Sequence, residues 1–378
     1  MKKFFLAIAA LLMLIGTVSA GIRRVGFFGA PISGVDFSTF AAAYTAAASG
    51  DTILVFPGIV NISQTISKKV IVIGNGDWLD PTSTPKGNAN MQAFPGVATV
   101  SQFIINAGSD GSVFMGLEGG SYYVDCSNIT IRRNRELLVY IAEHAPGNST
   151  NNIQLLENYR LNVSNYFTNG CTVTGLNISN NFMTGFSTVS GNTYNGNISN
   201  NVWALDGTQT SAVNGGSSTL TVNASIELGG GAYLFQNNII ACYYSSTLAT
   251  NFNYLSFGTP GNTVFNYNMA LQTGSGPAQT WGTGVGNVIT PIANAPTIFA
   301  AFPVLGSSSA DARYQLNASS PALTVGAGGT PIGMFTGTSP YKLSMIPPIP
   351  SIYQLSSPQG NNPPGSTIQI NLSTRGNN

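Results

Sequence analysis

The densest group of reactive side chains in this chain is Asp125, Arg132, Arg133, Arg135, Glu136, Glu143 and His144. Such a set could do two kinds of chemistry. An arginine beside calcium-holding carboxylates can take a proton from a uronic acid ring, and two carboxylates flanking a glycosidic bond can serve as acid and base for its hydrolysis. On that reading Arg132 or Arg135 is the proton acceptor, Asp125 and Glu136 are the carboxylates, and the partner is an acidic polysaccharide. Calcium is expected only in that case; otherwise the sequence asks for no cofactor and no metal. The competing reading is a set of surface ion pairs around one loop, each contributing well under about 1 kcal/mol.

The rest of the chain favours the competing reading. No lysine lies between Asn88 and Tyr341, and the remaining acids of that region, Asp110, Glu118, Glu157, Asp206, Glu227 and Asp311, are scattered in sequence. His144 is the only histidine and precedes the turn-forming Ala145-Pro146-Gly147, which suits a solvated loop residue. Cys126, Cys171 and Cys242 lie far apart with no CxxC pair, so buried free thiols are expected and not a zinc site.

Whatever these groups do must be positioned by the surrounding elements, and those repeat. Short apolar runs end in asparagine at Asn134, Asn158, Asn181, Asn201, Asn238 and Asn268, with Phe103-Ile104-Ile105-Asn106 as a further copy upstream. Steps of about 20 to 30 residues suit one coil of a β-solenoid; the longer step from Asn201 to Asn238 leaves room for an inserted loop over Asp206 to Ser218. Stacked in register, Ile131, Leu155, Ile178, Ile198, Phe235 and Phe265 would form an apolar column. The asparagines Asn106, Asn134, Asn158, Asn181, Asn201, Asn238 and Asn268 would form a ladder at the bends, taking the left-handed conformation and bonding to one another. Ahead of the coils, Phe37, Phe40, Ala41, Tyr44 and Ala48 fall at helical spacing, with Asp36 as N-cap and Gly50 as stop, which predicts an amphipathic helix covering the open edge.

Gly50-Asp51-Thr52-Ile53-Leu54-Val55-Phe56-Pro57-Gly58 resembles the opening segment of pectate-lyase-like right-handed parallel β-helix proteins. Asp311 to Leu316, with Ser320-Pro321-Ala322 and Gly326, resembles the closing segment of that superfamily, and Lys68 to Gly74 resembles an early coil of secreted Bacteroidota members. The resemblance implies an all-β, single-stranded right-handed parallel β-helix; it also raises lyase or hydrolase activity as an alternative, although the acid-pair motifs of polygalacturonases are missing.

Met1-Lys2-Lys3, the apolar run Phe4 to Ile15 and the small residues Val18-Ser19-Ala20 have the layout of a secretory signal peptide, with cleavage expected after Ala20. The expected organisation is therefore a signal peptide (1–20), a segment with the capping helix (21–50), the β-helix (51–335) and a proline-rich tail (336–378). Within the tail, Thr367 to Leu372 is expected to be a closing strand. No later run is long and apolar enough to cross a membrane as a helix. Charged residues make up 7% of the chain and the net charge is +1, which removes the electrostatic case for nucleic acid as partner. The expected product is a secreted or cell-surface, noncatalytic structural, adhesive or glycan-contacting module. The weaker alternatives are the acidic-polysaccharide enzyme and an ice-binding solenoid, the latter lacking evenly spaced threonines. Tyr122, Tyr123, Tyr166, Tyr194, Trp203, Tyr243 and Tyr244 are either exposed sugar-stacking rings or rings stacked between coils.

Overall fold

Runs as short as Ile71–Ile73, Thr130–Arg132 and Gln154–Leu156 cannot bury an apolar face alone, so their stability must come from neighbours of the same kind. The computed structural model describes residues 20–26, 31–77, 96–142, 147–164, 170–188, 191–204, 226–228, 231–241, 261–272, 281, 284–291, 294–300, 309–349, 351–356 and 371–375. Its strands assemble into two long sheets of 12 and 11 members, and every pairing within them is parallel. The chain alternates between the two. Thr52–Val55 lies in the first sheet, Ile62–Ile66 in the second, Ile71–Ile73 again in the first and Val100–Ile105 in the second. Later coils keep this order as far as Met269–Gln272, with Ser149–Asn151 and Ile226–Leu228 as added strands, and Val288–Pro291 follows it in the second sheet, which makes the chain a parallel solenoid. Ile22–Val25, in the segment expected to precede the coils, is already a strand of the first sheet.

The apolar column forms in the expected register: Ile131 pairs with Leu155, Leu155 with Ile178, Ile178 with Ile198, Ile198 with Phe235 and Phe235 with Phe265, all at most 1% exposed. Val72 and Phe114 continue it upstream. Phe103, Tyr122 and Val139 face it from the second sheet, with Phe103 and Phe114 rings 5.2 Å apart.

The asparagine ladder runs beside this column from Asn134 to Asn287. The Oδ1 atom of each member accepts the backbone N–H of the member one coil earlier at 2.8–3.0 Å. The Nδ2 group donates to the Oδ1 of the next member and to a backbone carbonyl of the preceding coil, as Asn181 does to Asn201 and to Leu155 O. An amide with two donors and two acceptor lone pairs is thus fully used, which is what allows Asn134, Asn158, Asn181, Asn201, Asn238 and Asn268 to be completely buried.

Three details differ from expectation. Asn106 is not in the ladder, because Val100–Ile105 belongs to the second sheet; Leu117 holds the equivalent place, its N–H bonding to Asn134 Oδ1 at 3.0 Å. Asn287 extends the row instead. The left-handed conformation falls not on the ladder asparagines but on the residue before each: Arg133, Glu157, Asn180, Asn200, Asn237 and Tyr267 have φ between 53° and 58°. Bending the backbone there turns the next side chain inward, where its amide reaches the coil below.

The helix forms at Phe40–Ala46, with Phe40, Ala43 and Tyr44 buried and the Phe40 ring 5.5 Å from that of Phe103. Its N-cap is Thr39, not Asp36; Asp36 is already engaged by Arg24 and the Ile32 N–H. It ends at Ala46, before Gly50, and Ala41 and Ala48 are exposed because the buried face runs through Ala43 and Ala47.

Beyond the last coil the chain turns back along the solenoid. Tyr159, Phe182, Val202, Ile239 and Met269, which follow the ladder asparagines and point out of the coils, are covered by Ile298, Phe299, Tyr314, Ile332, Met334 and Tyr341. Residues 333–347 then cross the left-handed bends from later coils to earlier ones. The Gly333 N–H bonds to Asn237 O, Asn180 Nδ2 to the carbonyls of Met334 and Thr336, Ser339 Oγ to Glu157, and Arg133 Nη1 to Ile346 O. Buried Asp311 fixes this strap by accepting from Ser309 Oγ, Tyr341 OH and the Ser344 N–H. The first part of the expected tail is therefore packed down on the coils. Asn371–Arg375 is a strand, but it pairs antiparallel with Ser351–Ser356 in a separate ribbon and closes neither long sheet. Residues 367–370 and the expected signal peptide and inserted loop lie outside the described residues, apart from Ala20.

Replacing Asn181 with alanine strands the N–H and Nδ2 donors of Asn158 and the carbonyl of Leu155, a loss on the order of 3 kcal/mol. Asn106→Ala, outside the ladder, is expected to cost less than about 1 kcal/mol. Urea unfolding of the two variants distinguishes them.

Candidate functional site

A bend that places Arg133 and Glu157 in one left-handed column also stacks their side chains, since both belong to the same step of the coil. Arg133 Nε lies 2.6 Å from Glu157 Oε2 and Arg132 Nη2 lies 2.6 Å from Glu157 Oε1, with Arg133 and Glu157 buried. One coil corner further on, Thr99, Glu118, Arg135 and Tyr159 form successive parallel bridges. There Arg135 bonds to Asp77 and Glu118 and lies 3.6 Å from Glu136, while Arg160 bonds to Glu136 at 2.6 Å. Burial pushes the Glu118 carboxyl above its usual range, with Arg135 pulling the other way.

The result is a row in two groups, Arg132 and Arg133 on Glu157, and Arg135 and Arg160 among Asp77, Glu118 and Glu136, four guanidiniums against four carboxyl groups in all. Arg135 and Glu136 are thus brought together as the sequence suggests, while Arg132 sits with Glu157 in the other group. Asp125 is not among them. It follows Ser121–Val124 in the second sheet, its N–H bonding to Ile105 O, and so sits at another corner of the coil. Nearness in sequence put Asp125 with the arginines; a coil that turns between sheets takes it away. Glu143 and His144 lie outside the described residues.

Sequence proximity also hid members of the row. Asp77, Glu118 and the pair Glu157 and Arg160 come from three other coils, and the usable signal was the ladder step itself: Glu136 to Arg160 and Arg133 to Glu157 are each 24 residues apart, as are Asn134 and Asn158. Among the described residues no three His, Cys, Asp or Glu side chains are grouped as metal ligands.

Of the aromatic candidates, Tyr122, Tyr194 and Trp203 are interior, at most 2% exposed; Tyr123 is half-buried on an outward position and stacks on Tyr140, also half-buried, with centroids 4.7 Å apart and planes 10° apart. Tyr166, Tyr243 and Tyr244 lie outside the described residues. Cys126 and Cys171 are buried thiols outside any disulfide, and Cys242 lies outside the described residues. Burial pushes the Cys126 thiol up to about 11, its contact with Ser109 Oγ at 3.2 Å acting against this. The outward column of the first sheet reads Val113, Thr130, Gln154, Asn177, Asn197 and Leu234, not a regular array of threonines.

No protein-family model, curated protein or solved structure matches this chain.

Glu157→Gln leaves the buried Arg133 guanidinium without its counter-charge and is expected to destabilise by about 3–5 kcal/mol. Glu136→Gln, at a carboxylate 40% exposed, is expected to cost less than about 1 kcal/mol. Thermal unfolding of the pair tests whether the row is a buried frame or a surface feature. Cys126 and Cys171 are expected to resist iodoacetamide in the folded protein at neutral pH and to react after denaturation, as read by mass spectrometry.

Proposed function

We propose that this chain is an exported, right-handed parallel β-helix related to the pectate-lyase-like superfamily and acts as a noncatalytic structural, adhesive or glycan-contacting module at or beyond the cell surface. The observation that carries the reading is the self-neutralising ion row. Arg135 directs Nη1 to Asp77 and Nη2 to Glu118, and Arg132 directs Nη2 to Glu157, so the guanidiniums nominated as proton acceptors are spent on holding coils together. An anionic sugar entering there would have to displace carboxylates already in bonding contact.

The right-handed sense follows the strong rule for connections between parallel strands. The helix Phe40–Ala46 supports the reading of an N-terminal cap, since its aromatic face meets Phe103 near the start of the second sheet. Export rests on the three-part leader, and the scarcity of charge suits a surface solvated by amides and hydroxyls.

One observation favours the enzymatic alternative: Glu118, with its raised pKa, stands beside Arg135 and near Asp77 and Glu136, a juxtaposition of acid and base groups of the kind polysaccharide cleavage employs. The two readings part in one assay. Incubation with uronic-acid polysaccharides across calcium concentrations is expected to release no unsaturated or reducing ends, while Arg135→Ala and Glu118→Gln lower the melting temperature. Cleavage abolished by Arg132→Ala, Arg135→Ala or Glu118→Gln in variants that remain folded would overturn the proposal in favour of a lyase or hydrolase.

A further inference from the structure

Around Gly21 the chain is built on a buried carboxylate that receives a main-chain nitrogen. Asp51 is 2% exposed. Its Oδ1 accepts the Gly21 N–H at 2.6 Å, and its Oδ2 accepts the Ala48 N–H at 2.9 Å and lies 3.1 Å from Arg23 Nη2. Gly21 is held at its other end too, its carbonyl accepting the Thr52 N–H at 2.9 Å, and the strand Ile22–Val25 begins at the next residue. A side chain at position 21 would crowd the carboxylate, since a Cβ there would lie 3.1 Å from Asp51 Oδ1. Ala20, one residue earlier, is exposed. Among the described residues, the first strand of the first sheet therefore begins one residue past the nitrogen that the expected leader cleavage would free.

We propose that the Ala20–Gly21 bond is the processing site and that the α-amino group released there is a structural ligand of Asp51, so that removal of the leader tightens the first coil. The step is a hydrolysis performed by a leader-cleaving peptidase. Water adds its oxygen to the Ala20 carbonyl carbon, the C–N bond breaks, Ala20 leaves as a carboxylate, and the Gly21 nitrogen takes up protons to become an ammonium. A neutral N–H donor 2.6 Å from a buried carboxylate becomes a cationic one in the same place, and charge-assisted hydrogen bonds are about twice as strong as neutral ones. Among the described residues the other charged groups acting on Asp51 are Arg23 and Lys68. Arg23 contacts the opposite carboxylate oxygen, and Lys68 Nζ bonds to the carbonyl of Ala47. Oδ1 is left to Gly21. Burial works to raise the Asp51 pKa, but the N–H groups of Ala48 and Gly21 and the Arg23 and Lys68 charges outweigh it and hold the carboxyl below its usual value, ionised at neutral pH.

This inference rests on the export reading and not on the absence of catalysis, so the polysaccharide assay does not bear on it. Its sign follows from linkage: an amine whose folded pKa is raised contributes stability fully below its unfolded value of about 7.7–8.0 and loses it as pH rises through the folded value. The test compares the chain beginning at Gly21 with a free amine, the same chain acetylated at that nitrogen, and the full 378-residue precursor. Expected results are an α-amine that titrates at least about one unit above the ordinary range, a tenfold or greater preference of the folded state for the charged form. The free-amine chain should melt above both others near neutral pH, with the gap closing in alkali. Asp51→Asn should return the amine to the ordinary range; if that variant does not fold, the acetylated chain carries the comparison. An ordinary amine pKa with equal melting of all three chains would overturn the proposal, and so would an exported product whose N-terminal sequence starts anywhere but Gly21.

Discussion

A chain that coils must bend between strands, and at each bend a backbone N–H and a carbonyl lose the partner that a continuous strand would supply. The ladder from Asn134 to Asn287 answers this with one side-chain type. Its amide takes the stranded N–H of the coil before, donates to a carbonyl of that same coil and passes a second hydrogen to the next amide. Inside a low-dielectric interior each such bond is strong and each missing one is costly, so the row is stable only when complete. The aliphatic and aromatic interior beside it depends on this. Without the ladder, register could slip, and a slip of one residue would turn Ile178 and Ile198 out of the interior.

The ladder imposes a second requirement, met one residue earlier. Turning an asparagine inward needs left-handed backbone at its predecessor, a conformation that costs a residue other than glycine or asparagine roughly 1–2 kcal/mol. At Asn180, Asn200 and Asn237 the cost is small, whereas Arg133, Glu157 and Tyr267 accept it against compensation nearby. For Arg133 and Glu157 the compensation is their mutual ion pair and their bonds to Ile346 O and Ser339. For Tyr267 it is the ring lying over Gly286, where a Cβ would come within 2.3 Å of the ring. Charge at these bends is part of the frame.

Much of the frame was legible in sequence because it repeats. The spacing of Asn134, Asn158, Asn181, Asn201, Asn238 and Asn268 sufficed to name the interior column and the ladder. The same rule applied by residue type misplaced Asn106, since a run of apolar residues before asparagine reads alike in either sheet and only pairing distinguishes them. Asn287 escaped notice because the residues before it, Gly284-Val285-Gly286, form no apolar strand. Half of the ion row, Arg132, Arg133, Arg135 and Glu136, stands together in the sequence; Asp77, Glu118, Glu157 and Arg160 were hidden because they neighbour these along the solenoid axis and not along the chain. The fold-back of residues 295–300 and 309–347 left no periodic signal at all, its short turns being specified by long-range contacts such as Phe182 with Tyr314, 4.5 Å apart.

That fold-back changes what kind of object the solenoid is. Stacked repeats whose contacts are limited to adjacent units behave as a one-dimensional array, able to fray from either end and to lose units one at a time. Here a single segment bonds to Asn237, Asn180, Glu157 and Arg133 in turn, so coils with no direct contact share one fastening. Peeling the last coils would require the fastening to release the first ones. Loss of structure is thereby converted from stepwise unravelling into a concerted event, and a rod built from weak local units acquires the all-or-none character of a globular domain.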